Sequence, residues 1–291
     1  MSSFFEKFLK IDRRWIFLAV GLAVIIALVA PCQMSTTITP PVQIFHDVVA
    51  AATPDKPLIV SMDVGPSTLP ELEPMIKATL RHAFANNIKV IGLSLLITGP
   101  SIGERLLVDT AAEVNAELEA AGEARRIVQG EDWVFLGYKP GVTPVILGMG
   151  EEIRNTFPVD YYGTYLDDLP MMQNVHNYDD MSSVVTISGT AIPESWVAFA
   201  GAPYDIPVSV GVTAVSASNY YTYVQTGQMA GLLGGLKGAA EYERLINYPG
   251  MASKGMVAQF WVHIIIVFFI VLGNTAFFII RAQKKRQTDK K

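Results

Sequence analysis

The residues of this chain that could carry chemistry begin with Ser101. Gly99-Pro100-Ser101-Ile102-Gly103 matches the G-x-S-x-G pattern. That pattern exposes a serine on a sharp strand-to-helix turn, where a histidine base takes its proton. His176 follows downstream, with Asp160, Asp167 and Asp168 between, so Ser101, Asp168 and His176 form a triad on paper. A plainer role competes with it. Ser101 and Glu104 are spaced S-x-x-E, the capping box that ties off free N–H groups at a helix start. Thr68 and Glu71 repeat the spacing after Gly65-Pro66-Ser67, an echo of Gly99-Pro100-Ser101 one βα unit earlier. Capping is the stronger expectation for Ser101, with a membrane-anchored serine hydrolase as its rival.

Other chemical patterns are weaker. Lys139 in Gly137-Tyr138-Lys139-Pro140-Gly141 could serve a Ser–Lys pair, but no spacing links it to Ser101. Gly148-Met149-Gly150 lacks the third glycine of a dinucleotide fingerprint. The acidic pairs Asp167-Asp168 and Asp179-Asp180 have no calcium-loop spacing. The single cysteine, Cys32, excludes an intramolecular disulfide and any multi-cysteine zinc or iron–sulfur site within one chain. No metal and no cofactor is expected.

Small residues recur at Gly227, Gly231, Gly235 and Ala239. If residues 218–247 form one helix, these four share a stripe that admits another backbone, from the same domain or from a second subunit.

The elements that must position these groups follow from the apolar pattern. Continuous apolar runs at 57–64, 88–97, 133–138, 144–147, 183–188 and 206–213 read as strands buried on both faces. Helical spacing falls between them at 69–86, 102–121 and 193–200, with a shorter helix at 42–52. Strands alternating with helices predict an α/β fold with a mostly parallel, doubly wound sheet. Residues 151–180, rich in Asp, Tyr and Met, read as an insertion or lid. Open parallel sheets bind ligands beyond the carboxyl ends of their strands, which here selects Asp63, Ser67, Thr98, Lys139, Thr213 and Ser216.

Two uncharged apolar stretches flank this domain, at 15–31 and 256–280. Basic residues precede the first, at Lys7, Lys10, Arg13 and Arg14. Others follow the second, at Arg281, Lys284, Lys285, Arg286, Lys290 and Lys291. The positive-inside rule then puts both tails in the cytoplasm, which two spans also require. The expected layout is a cytoplasmic tail at 1–14, a span at 15–31, a lead-in at 32–56 and an extracytoplasmic domain at 57–250. A second span at 256–280 and a tail at 281–291 complete a two-pass protein of the plasma (inner) membrane. An uncleaved anchor fits better than a signal peptide, because Leu28 and Pro31 spoil both a peptidase site and a lipobox at Cys32. Gln259, His263, Asn274 and Thr275 in the second span are expected to face another helix.

Outside the two tails the chain carries 12 basic and 24 acidic residues, a net of −12. That charge repels nucleic acid and anionic headgroups. The function expected from these features is a membrane-anchored, non-catalytic α/β domain that binds a partner or ligand and assembles, as a homo-oligomer or with other membrane subunits. A serine hydrolase using Ser101 and a small-ligand receptor are the alternatives.

Overall fold

The structure, a computed structural model, describes residues 12–29 and 37–288, with side chains as far as 282. Most of the N-terminal tail, Cys32 and its neighbours, and the last three residues lie outside the described residues. The elements run α1 (Arg13–Val29), α2 (Pro40–Ala50), β1 (Leu58–Asp63), α3 (Leu69–Ala85), β2 (Val90–Ser94), α4 (Pro100–Ala120) and β3 (Trp133–Tyr138). After α5 (Val142–Glu151) and α6 (Ile153–Thr156) come β4 (Ser183–Ser188), α7 (Ile192–Trp196), β5 (Val208–Val212) and α8 (Ala214–Gln225). β6 (Leu232–Gly234), α9 (Gly235–Leu245) and α10 (Met251–Thr288) complete the chain. Residues Thr36–Ser253 form one compact unit, and the flanking segments form another.

The sheet of the first unit has six strands in the order β3-β2-β1-β4-β5-β6, parallel throughout. The chain winds outward from β1 to β3, returns to lay β4 beside β1, and winds outward the other way. This is a doubly wound α/β fold, as the alternation of runs predicts. Side chains alternate across the sheet. On one face Ile59, Ile91, Leu93, Val134, Val184 and Val210 join the buried core that includes Met149, Trp196 and Tyr220. On the other, Gly92 leaves room for Leu107, Met62 and Phe135, and a Cβ there would come within 2.7 Å of Leu107. Burying the strands on both faces removes about 25 cal/mol per Å² of apolar surface from water, which drives the fold.

Prolines start the helices where the strands release them: Pro70, Pro100 and Pro193 lie in first turns, where a missing N–H costs nothing.

Two local expectations fail. Residues 144–147 belong to helix α5, not to a strand. Val145, Ile146 and Met149 are buried there at helical spacing, and a four-residue apolar run has no period of its own to decide the matter. The single helix over 218–247 is three elements. Gly227 takes φ +74, beyond the end of α8, Leu232 and Leu233 pair with β5, and Gly235 takes φ +59 where α9 begins. Gly227, Gly231, Gly235 and Ala239 therefore share no helix stripe. Residues 193–200 are helical as expected, α7 passing directly into a π-helical turn at Val197–Gly201.

In the second unit, α10 is the one helix among the described residues long and apolar enough to cross a membrane, over Met251–Ala282. Its Phe260, Trp261, Ile264, Val267, Phe268, Val271, Phe277 and Phe278 are exposed. Helix α1 has 17 residues, about 26 Å at 1.5 Å per residue, just short of a ~30 Å hydrocarbon core. Ala27 of α1 packs with Val257 and Ala258 of α10. Asn274 and Thr275 donate to the carbonyls of Ile270 and Val271, at 3.0 and 2.7 Å, so these polar groups are satisfied within their own helix.

Candidate functional site at the carboxyl edge of the sheet

The strand order reverses between β1 and β4, and loops leaving adjacent strands diverge there. Asp63 ends β1 at that point and is fully buried. Its Oδ2 accepts from Ser61 Oγ at 2.7 Å and its Oδ1 from the Leu95 N–H at 2.6 Å. Burial pushes its carboxyl up to about 6, against the opposing pull of those hydrogen bonds. Asp63 thus ties β1 to the loop leaving β2. On the β4 side, Ser188 Oγ sits 3.4 Å from the Asp63 carbonyl and caps the turn through the Thr190 N–H at 3.0 Å. Thr68 fills the space over Gly189, where a Cβ would meet its methyl at 2.5 Å.

The rim around this point is exposed. Ser67 and Thr98 face solvent, and Thr98 Oγ1 donates to the Val64 carbonyl at 3.2 Å. Thr213 donates to Ser216 Oγ at 3.2 Å beyond β5, and the next N–H, of Ala214, is held by Glu71 at 2.8 Å. Two apolar side chains stand out among these hydroxyls: Ile97 is 72% exposed and Val215 87%. β2 and β5 are three strand spacings apart, about 14 Å at ~4.8 Å each.

Beyond β3 the same edge holds a cleft of about 450 Å³, lined by Pro100, Lys139, Thr156, Phe157, Asp160 and Tyr161 among others. Lys139 donates to the Thr156 carbonyl and lies 5.6 Å from the Phe157 ring centre. Asp160 is 4% exposed. Its Oδ1 accepts from the Tyr162 and Thr164 N–H groups at 2.9 and 2.8 Å, while Oδ2 has no partner among the described residues. The residues 151–180 that make this wall are organised by Arg154. It donates to the Val175 and Met172 carbonyls at 2.6 and 2.7 Å and pairs with Asp167 at 2.5 Å.

The structure brings the six predicted ligand-binding residues to one edge, but in different states. Asp63 is sealed in the core, Ser67 and Thr98 are open, and Lys139, Thr213 and Ser216 are half-buried. The hydrolase set takes other partners. Ser101 lies exposed in the first turn of α4, and His176 engages Glu152 and Arg154, each at 3.4 Å. Asp168 sits on an exposed 3-10 turn. The capping box fails too, because Gly99 is the N-cap with no side-chain bond, and Glu104 accepts instead from Tyr162 OH at 2.9 Å. Packing explains the two glycines of the motif. A Cβ at Gly99 would lie 2.1 Å from Ser94 Oγ, and one at Gly103 3.3 Å from Met62 and Phe135. Among the described residues no group of three His, Cys, Asp or Glu side chains is placed to hold a metal.

Sequence reasoning missed Ile97, Val215, Phe157 and Tyr161. An apolar residue directly after a strand is read as the strand's continuation, so Ile97 carries no signal of exposure. The fold and the rim define a doubly wound α/β domain. Compared with models of protein families, with curated proteins and with solved structures, the chain matches none.

Proposed function

We propose that this chain is a non-catalytic recognition domain anchored in a membrane by two helices, and that it assembles with a partner protein at the carboxyl edge of its sheet. The observation that supports this reading is the exposure of Ile97 and Val215 on that edge, flanked by Ser67 and Thr98. Large apolar side chains held open beside hydroxyls are the composition of a protein-binding surface, with apolar centre and polar surround. The two-pass reading rests on the apolar length of α10, the apolar α1, and the basic residues that flank both.

The test is the mass of the full chain extracted in mild detergent, for the wild type and for an Ile97→Asp/Val215→Asp double variant. The wild type is expected to run as a homo-oligomer or as a complex of fixed stoichiometry. The double variant should keep its melting temperature and run as a monomer. A wild type that is itself monomeric, with no stoichiometric partner, defeats the proposal.

A second reading, a receptor for a small polar ligand, is favoured by the cleft beyond β3, which Lys139 and Asp160 line together with Tyr138, Phe157 and Tyr161. A metabolite that raises the melting temperature of the wild type but not of Lys139→Met would select it.

A further inference from the structure

A second cavity lies at the opposite, amino-terminal edge of the sheet. α3 leads from the end of β1 to the start of β2, so its last turn lies at that edge, with the last turn of α9 beside it. Together with α2 and the end of α4 they enclose about 570 Å³. The lining includes His46, Arg81, His82, Asn86, Glu117 and Tyr248.

Three of these side chains have nitrogens to spare. Arg81 is 8% exposed, its guanidinium lies 3.4 Å from the Tyr248 ring centre, and Nη2 pairs with Glu117. Nη1 is buried and has no partner among the described residues. His82 shares a 2.7 Å hydrogen bond between Nδ1 and Tyr242 OH, which leaves Nε2 uncommitted. His46 stacks on His82 with ring centres 4.7 Å apart, and its Nδ1 meets Asp47 at 3.0 Å, which again leaves Nε2. Helix C-termini ordinarily disfavour an anion, but here the carbonyls of α3 are occupied. Asn86 Nδ2 donates to His82 O at 2.8 Å, the Ile88 N–H to Ala83 O at 2.9 Å, and Arg125 to Phe84 O.

We propose that this cavity binds a small oxyanion, a phosphate, sulfate or carboxylate group, through the charge of the Arg81 guanidinium and the Nε2 atoms of His82 and His46. The guanidinium supplies the charge that such groups match. His82, with Nδ1 accepting from Tyr242 OH, supplies an N–H at Nε2 as a neutral ring, whereas His46, whose Nδ1–H goes to Asp47, supplies one at Nε2 when protonated. Glu117 is the built-in competitor, since it holds the other arm of the same guanidinium. The site is separate from the carboxyl edge, so it stands whether or not the partner-binding reading does.

The chain has four histidines, His46, His82, His176 and His263. Histidine-selective isotope labelling of the full chain in detergent therefore gives four imidazole signals to follow during titration with inorganic phosphate at constant ionic strength. The signals of His46 and His82 are expected to move and saturate, while those of His176 and His263 stay. Arg81→Met should abolish the movement, but Arg81 also supports Tyr248. Glu117→Gln is therefore the decisive variant. Its side chain is 56% exposed, and removing the competing charge should lower the phosphate midpoint roughly three- to tenfold. Parallel titrations with sulfate and acetate rank the preferred group, and saturation by any of the three supports an oxyanion site. Unmoved His46 and His82 signals, four signals drifting together, or an unchanged midpoint in Glu117→Gln would overturn the proposal.

Discussion

The Asp63 carboxylate accepts the Leu95 N–H at 2.6 Å, a bond that crosses from the end of β1 to the loop leaving β2. Both residues are buried, so the bond forms away from water, where it is strong and where a charge is costly. That cost makes the fold pH-sensitive. The carboxyl titrates at about 6 in the folded chain against 3.8 for a free one, chiefly because burial disfavours the ionised form. The folded state therefore holds a proton that the unfolded state has lost, across the window from about 4 to about 6. Stability from this group is fully present below the lower value and is lost as pH rises through the upper. At 1.36 kcal/mol per unit the difference is about 3 kcal/mol. Asp63 therefore contributes a loss of stability between pH 5 and pH 7, while buried His82, whose imidazole is pushed down to about 4, contributes a gain over the same interval. Asp63→Asn keeps an acceptor for Leu95, so the melting temperature of the wild type relative to this variant should fall from pH 5 to pH 7, the His82 contribution being common to both. An unaltered pH profile in Asp63→Asn would show that other groups set it.

Gly231 is the point where the backbone of α2 rests on the approach to β6. A Cβ at Gly231 would lie 2.4 Å from the Phe45 amide nitrogen. Backbone cannot give way as a side chain can, so Gly231→Leu is expected to destabilise the domain by about 1–3 kcal/mol or more, the range for overpacking. The check is a lowered melting temperature. Unchanged melting would mean that α2 is not held against β6 in solution.

Glu243 is 2% exposed and accepts four hydrogen bonds, from the Gly250, Ala252 and Ser253 N–H groups and from Ser253 Oγ, at 2.7 to 2.9 Å. It holds the segment that opens α10, where unpaired N–H groups favour an anion. Glu243→Ala removes the acceptor of all four donors and should cost about 2–3 kcal/mol. Amide hydrogen exchange at 250–253 should accelerate at least tenfold. Exchange at the wild-type rate would assign the anchoring of this segment to other contacts.

Much of the fold could be read from the residues. The runs at 57–64, 88–97, 133–138, 183–188 and 206–213 hold five of the six strands, because strands buried on both faces leave long apolar stretches in the sequence. The carboxyl edge followed from the same pattern, since it lies wherever such runs end. The chemistry of the edge was less legible. Ser101 sits in a G-x-S-x-G match whose glycines serve the packing of α4 against Ser94, Met62 and Phe135, a demand that only the folded chain imposes. Arg81, His46 and His82 carry no motif, because α2 and α3 bring them together across 35 or more residues of sequence.

The sequence by itself determined the local and compositional properties of this protein: the alternation of buried strands with helices, the proline-led helix starts, the acidic middle, and apolar flanks bordered by basic residues. Those depend on each residue's own solvation and dihedral preferences, which act over a few neighbours. Only the tertiary structure decided the strand order, the division of residues 218–247 into α8, β6 and α9, and the contrast between sealed Asp63 and open Ile97. Gly227 and Gly235 look alike in a sequence whether they space a helix or break it. The pairing of Leu232 and Leu233 with β5 settles which, because it satisfies the backbone groups on the outer edge of β5 that a continuous helix at that place would leave bare.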